Sequence, residues 1–65
     1  DDGVADYYDR VSRGEALLLA GQSAAAHAAY LSAFERYAHL AGNIAGTRAQ
    51  ADRIAATLKL QDFVL

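Results

Sequence analysis

The chain has 65 residues, sixteen of them alanine, with no cysteine, proline, methionine or tryptophan and a net charge of −2 from six basic and eight acidic side chains. The lack of cysteine excludes disulfides, thiolate metal sites and thiol nucleophiles. One lysine and five scattered arginines give no cluster of the kind a phosphate backbone demands, so nucleic acid is not an expected partner. A chain this short is one domain at most and buries only about 60% of the surface its unfolded form exposes, so stability of about 3 to 10 kcal/mol is expected.

The longest apolar run, residues 16–20, is far below the roughly 18 residues that would span a bilayer, and no basic leader precedes a hydrophobic segment. The expectation is a soluble chain without a membrane span, placed in the cytoplasm. Its start at Asp1-Asp2, without methionine, suggests the ordered part of a longer product.

In chain order, Val4, Tyr7, Tyr8, Val11, Leu17 and Leu18 recur at helical spacing behind the acids Asp1, Asp2, Asp6 and Asp9. This predicts helix A over 4–20. Asp6 with Arg10 and Asp9 with Arg13 are acid-before-base pairs one turn apart, each contributing about 0.2 to 0.5 kcal/mol on an exposed face. Glycine inside a helix costs about 1 kcal/mol relative to alanine, so Gly14 and Gly21 need reasons. Gly21 supplies a left-handed exit from helix A, and Ser23 is placed to cap the next helix.

Helix B is predicted over 24–41, with Tyr30, Phe34, Tyr37, Ala38 and Ala41 on its apolar side and Ser32, Glu35, Arg36 and His39 on its polar side. Gly42-Asn43 is expected to end it. Thr47-Arg48-Ala49-Gln50 fits a capping box, opening helix C over 48–61 with Ala51, Ile54, Ala55 and Leu58 in one stripe. Short loops between three helices predict an all-α fold, an antiparallel helical hairpin plus a third helix, as a single domain over 1–65.

Gly14, Leu17, Gly21, Ala26, Tyr30 and Ala33 form a spaced set of small and bulky residues. The set resembles the tetratricopeptide repeat, whose helix pair alternates small and bulky positions at these intervals. The resemblance implies a close contact of Gly14 with Ala26 between helices A and B, with Leu17, Tyr30 and Phe34 filling the remaining space. The sequence departs from the family at Arg10 and Arg13, where a bulky aromatic and a leucine are usual, at Ser23 for tyrosine and at Ala38 for proline. One repeat length further on, roughly 34 residues, stand Arg48, Ala51 and Ala55, so no second copy follows. Helix C is expected to be the extra helix that closes a terminal repeat, giving a tetratricopeptide-like three-helix bundle. The hairpin is also similar to the microtubule-interacting and trafficking domain, which binds short helical peptides, and to helical regions attached to some α/β-hydrolases.

Candidate chemistry is sparse. His27 and His39 lack the one-turn spacing that lets two imidazoles share a metal. Asp6 and Asp9 stand in a charged front turn, where paired carboxylates are solvated rather than catalytic. Ser12, Ser23 and Ser32 have no histidine and acid at nucleophile spacing, and no glycine-rich phosphate loop follows a strand. The stretch Leu-Leu-Ala-Gly-Gln-Ser resembles the turn of a helix-turn-helix, but the alanine-rich helix after it offers hardly any donor to a base edge. No catalytic residue, metal or cofactor is expected, and no enzyme activity.

What remains is surface. Under the repeat-like packing, the groove face of helix A carries Tyr8, Val11, Glu15 and Leu18, mostly apolar where a lone helix would be polar. These four are the candidate partner-binding residues, for a protein or a helical peptide. The alternative is that Tyr8, Val11 and Leu18 pack on helix C or on another element. The expected function is a non-enzymatic protein-interaction or scaffold module; the alternatives are a helical accessory segment of an enzyme such as an α/β-hydrolase and a structural subunit of a complex. An uncovered stripe would also drive self-association or assembly into a larger complex.

Overall fold

A computed structural model describes residues 2–65, so Asp1 lies outside them. They form three helices and no strand: α1 (Val4–Leu19), α2 (Ser23–Arg36) and α3 (Ala41–Leu58). α1 and α2 pack closely as a hairpin, and α3 lies against α1. The result measures 36 × 17 × 15 Å.

Gly21 takes φ +79° and closes α1 as the sequence predicts. Its N–H donates to the Leu18 carbonyl at 2.9 Å while the Gln22 N–H donates to Leu17 at 3.0 Å, the paired bonds of a Schellman exit. α3 ends at Leu58 rather than at 61, by the same device without a glycine. Lys59 holds φ 59°, and the N–H groups of Lys59 and Leu60 donate to Ala56 and Ala55 at 3.2 and 2.9 Å.

Two further boundaries differ from the expected ones. α2 stops at Arg36 instead of reaching 41, because Tyr37 leaves helical geometry (φ −121°, ψ 43°) and turns toward α1. Its ring meets Tyr7 edge-on at 6.2 Å, its hydroxyl donates to the Asp6 carboxylate, and Leu40 beyond it is buried. These tertiary contacts outweigh the helix propensity of the segment. α3 then begins at Ala41 instead of 48, so Gly42 and Asn43 open a helix rather than end one.

Neither expected side-chain cap forms. Thr47 is inside α3, where its hydroxyl donates to the Asn43 carbonyl at 2.9 Å and accepts the Tyr7 hydroxyl at 2.7 Å. Tyr7 is fully buried, and burial pushes its phenol above the ordinary value, so the donated proton stays in place. Ser23 is the first residue of α2, and its hydroxyl donates to Asp62 at 3.2 Å instead of capping the helix.

The hairpin closes on a ring against a glycine. A Cβ built on Gly14 would stand 3.2 Å from each of three carbons of the Tyr30 ring. Ala26, the contact implied by the repeat resemblance, is fully buried one turn before Tyr30, but it is Tyr30 that covers Gly14. Around this contact gather Tyr7, Val11 and Leu18 from α1, Ala33 and Phe34 from α2, and Ala51 and Ala55 from α3. Phe63, beyond the last helix, completes the core, edge-on to Tyr30 at 6.0 Å.

Overpacking beneath Tyr30 should make Gly14→Val less stable by about 1 to 3 kcal/mol. Gly46, inside α3, has nothing within 4 Å of an added Cβ, so Gly46→Ala should gain about 0.5 to 1 kcal/mol. Urea unfolding of both variants checks the contrast, and a Gly14→Val chain as stable as the parent would remove the ring-on-glycine contact. Lys59→Gly, measured in the same way, should gain roughly 1 kcal/mol by relieving the left-handed conformation.

Candidate functional site

A rotation by one residue separates two stripes of α1. Tyr7, Val11, Gly14 and Leu18 are buried, whereas Tyr8, Ser12, Glu15 and Leu19 follow the neighbouring stripe at the same spacing. Two of the four candidate partner-binding residues, Val11 and Leu18, therefore lie in the core at 7% and 0% exposure. This corrects the expectation of an open apolar groove built on them, since both side chains are covered within the chain. Tyr8 is exposed and Glu15 half-buried. The sequence carries a signal for the exposed stripe: Leu17, Leu18 and Leu19 in a row are more than one helix face can bury, and Leu19 is the one left 58% exposed.

Tyr8, Ser12, Glu15 and Leu19 form one wall of a groove whose other wall is α3. At the lower end, Tyr8 faces Gly42, Asn43 and Gly46 across a hollow of about 380 Å³, and Asn43 Nδ2 donates to the Tyr8 hydroxyl at 2.9 Å. In the middle, Ser12 and Glu15 meet Thr47 and Gln50 over a constriction of about 80 Å³ floored by Val11 and Tyr30. At the upper end, Leu19, Ile54 and Leu58, with Arg53 beside them, line a hollow of about 310 Å³. Gln50 lines all three, so they form one continuous feature. From Tyr8 to Leu19 α1 rises roughly 16 Å.

The ion pairs of the described residues belong to Asp6, which leaves Arg53 at the groove without one. Asp6 pairs with Arg10 at 2.9 Å, as expected, and lies 3.9 Å from Arg36. Hydrogen bonds from Arg10 and then Tyr37 hold its carboxyl below the ordinary 3.8. The pair expected between Asp9 and Arg13 is not formed.

Each of the two histidines bonds to backbone near a different end of the chain. His27 Nδ1 donates to the Val64 carbonyl at 2.7 Å and His39 Nε2 to the Asp2 carbonyl at 3.0 Å; a carbonyl only accepts, so each ring nitrogen carries the proton. His39 lies in the turn after α2 rather than on that helix. Among the described residues no group of three or more His, Cys, Asp or Glu is placed to hold a metal, and no helix is long and apolar enough to cross a membrane. No family model matches the chain, and comparison with curated proteins and with solved structures gives no match.

The bonds to the Asp6 carboxylate stabilise the fold at pH values above its unfolded pKa and are lost as pH falls through the lower folded value. Asp6→Asn should therefore flatten the acid limb of the stability curve below about pH 4. Thermal melts across the acid range check this, and parallel curves for the two chains would show that Asp6 contributes nothing to acid sensitivity.

Proposed function

We propose that the chain is a non-enzymatic protein-interaction module, tetratricopeptide-like in its hairpin, which takes a partner helix into the groove between α1 and α3. The observation that carries this reading is the upper hollow, where Leu19 and Leu58 are 58% and 41% exposed beside half-buried Ile54 and unpaired Arg53. Fully burying one leucine-sized side chain stabilises a complex by about 1.5 to 3 kcal/mol before the costs of association. The roughly 16 Å length suits three turns of helix. Charge complementarity defines the occupant further. Arg53 at the edge of an apolar hollow favours an acid one turn from the anchoring apolar residue, so the partner is an amphipathic helix with an acidic flank. At the lower end, Gly42 and Gly46 have nothing above them, which permits a close approach of backbones. The repeat-like part of the reading is supported by the small residue beneath a bulky one at Gly14 and Tyr30 and by the packing of α3 on α1.

Selection of displayed helical peptides on the full chain tests the proposal without a known partner. Enriched peptides should carry an apolar residue with an acid three or four positions away. Leu19→Asp and Arg53→Glu, both at exposed positions, should each weaken them at least about tenfold, equivalent to about 1.4 kcal/mol. Failure to enrich any such pattern, or unchanged binding to Leu19→Asp, would overturn it.

A further inference from the structure

Beyond Lys59 the chain turns back and lies between α2 and α3. Residues 61 and 62 form a turn, with the Phe63 N–H donating to the Leu60 carbonyl at 3.2 Å. After it Phe63 is buried at 6% exposure, Val64 is 68% exposed and Leu65 is half-buried, the alternation of extended chain. The helices hold this segment by contacts of different kinds. The Asp62 carboxylate accepts the Ser23 hydroxyl at 3.2 Å. The backbone oxygen of Val64 accepts His27 Nδ1–H at 2.7 Å, and that of Leu65 accepts the Arg48 guanidinium at 2.7 Å. Arg48 is itself positioned over the Phe34 ring at 5.0 Å, and Phe63 seats edge-on against Tyr30. Side chains from two helices thus hold two successive backbone oxygens, while alternate apolar side chains turn inward. Main-chain bonds that tolerate any sequence, combined with pockets that read every second side chain, are how protein surfaces bind extended peptides.

We propose that the face between α2 and α3 is a peptide-binding site, filled here by residues 62–65 of the chain itself and able to accept from another protein a segment of the same chemistry: an acid in a turn, followed in extended form by a phenylalanine, any residue and a leucine. The site is separate from the groove between α1 and α3 and does not rest on the reading given to that groove. The groups that recognise the segment, Ser23 and His27 on α2 and Arg48 on α3, are placed by their helices. The chain's own segment competes at an effective concentration in the millimolar range, as short tethers do. An external peptide therefore binds the parent chain weakly and binds tightly once the internal segment is impaired.

The test titrates full-length, isotope-labelled Phe63→Ala and the parent chain with the acetylated peptide Gln-Asp-Phe-Val-Leu, followed by NMR. In Phe63→Ala the signals of Ser23, His27 and Arg48 should move saturably, with an apparent Kd at least about tenfold lower than in the parent. A further Arg48→Ala change should weaken binding, and a peptide with alanine for phenylalanine should leave the signals unmoved. A folded Phe63→Ala chain that ignores millimolar peptide, or that binds it no better than the parent does, overturns the proposal. A second measurement does not depend on that variant folding. With fluorophenylalanine in place of Phe63 in the otherwise unaltered chain, millimolar peptide should shift the fluorine signal of position 63 toward its solvent-exposed value, and a signal that stays fixed overturns the proposal.

Discussion

The face of the Tyr30 ring rests on Gly14, and that contact sets how near α1 and α2 can come. Any side chain at position 14 would meet three ring carbons at 3.2 Å, and Tyr30 has little room to withdraw because it is 2% exposed. Phe34 lies 6.2 Å from its centroid on one side and Phe63 6.0 Å on another. Such ring pairs contribute about 0.5 to 1.5 kcal/mol beyond the area they bury. Burial, with the Glu15 carboxylate nearby, pushes the Tyr30 phenol up to about 12. The same side chain therefore closes the hairpin, supports the C-terminal segment and floors the constriction of the groove.

Alanine-rich helices of this length bury little apolar area by themselves, and the molecule compensates with residues outside its helices. Tyr37 and Leu40 in one turn and Phe63 in the C-terminal segment pack against the hairpin. Side chains then tie backbone at both ends: His39 holds Asp2, His27 holds Val64 and Arg48 holds Leu65. Each such bond contributes about 0.5 to 1.5 kcal/mol net. The polar residues that a search for chemistry would single out, both histidines and Ser23, are engaged in holding these ends, while Thr47 joins α3 to Tyr7 of α1.

The two proposed binding surfaces differ in what they ask of an occupant. The groove between α1 and α3 has an apolar upper end and one unpaired cation, so it suits a helix, whose backbone groups are already satisfied internally. The face between α2 and α3 presents His27 and Arg48 as donors to backbone oxygens. That suits extended chain, whose carbonyls have no internal partner.

The sequence by itself determined an all-helical chain of three segments, the left-handed exit at Gly21 and the pairing of Asp6 with Arg10, because each depends on periodicity or on contacts within about one helical turn. It also led to the groove region through Tyr8 and Glu15, but it could not distinguish the stripe through Leu18 from the one through Leu19, since adjacent residues lie about 100° apart, within the width of one apolar face, and both are leucine. Tertiary structure alone decided that α2 ends at Arg36, that α3 starts at Ala41 and that Phe63 joins the core. Each of these outcomes turns on partners distant in sequence: Tyr37 with Asp6, Tyr7 with Thr47, and Phe63 with Tyr30. Hydrogen bonds and ring burial at such contacts outweigh local helix propensity, and no local window contains both members of the pair.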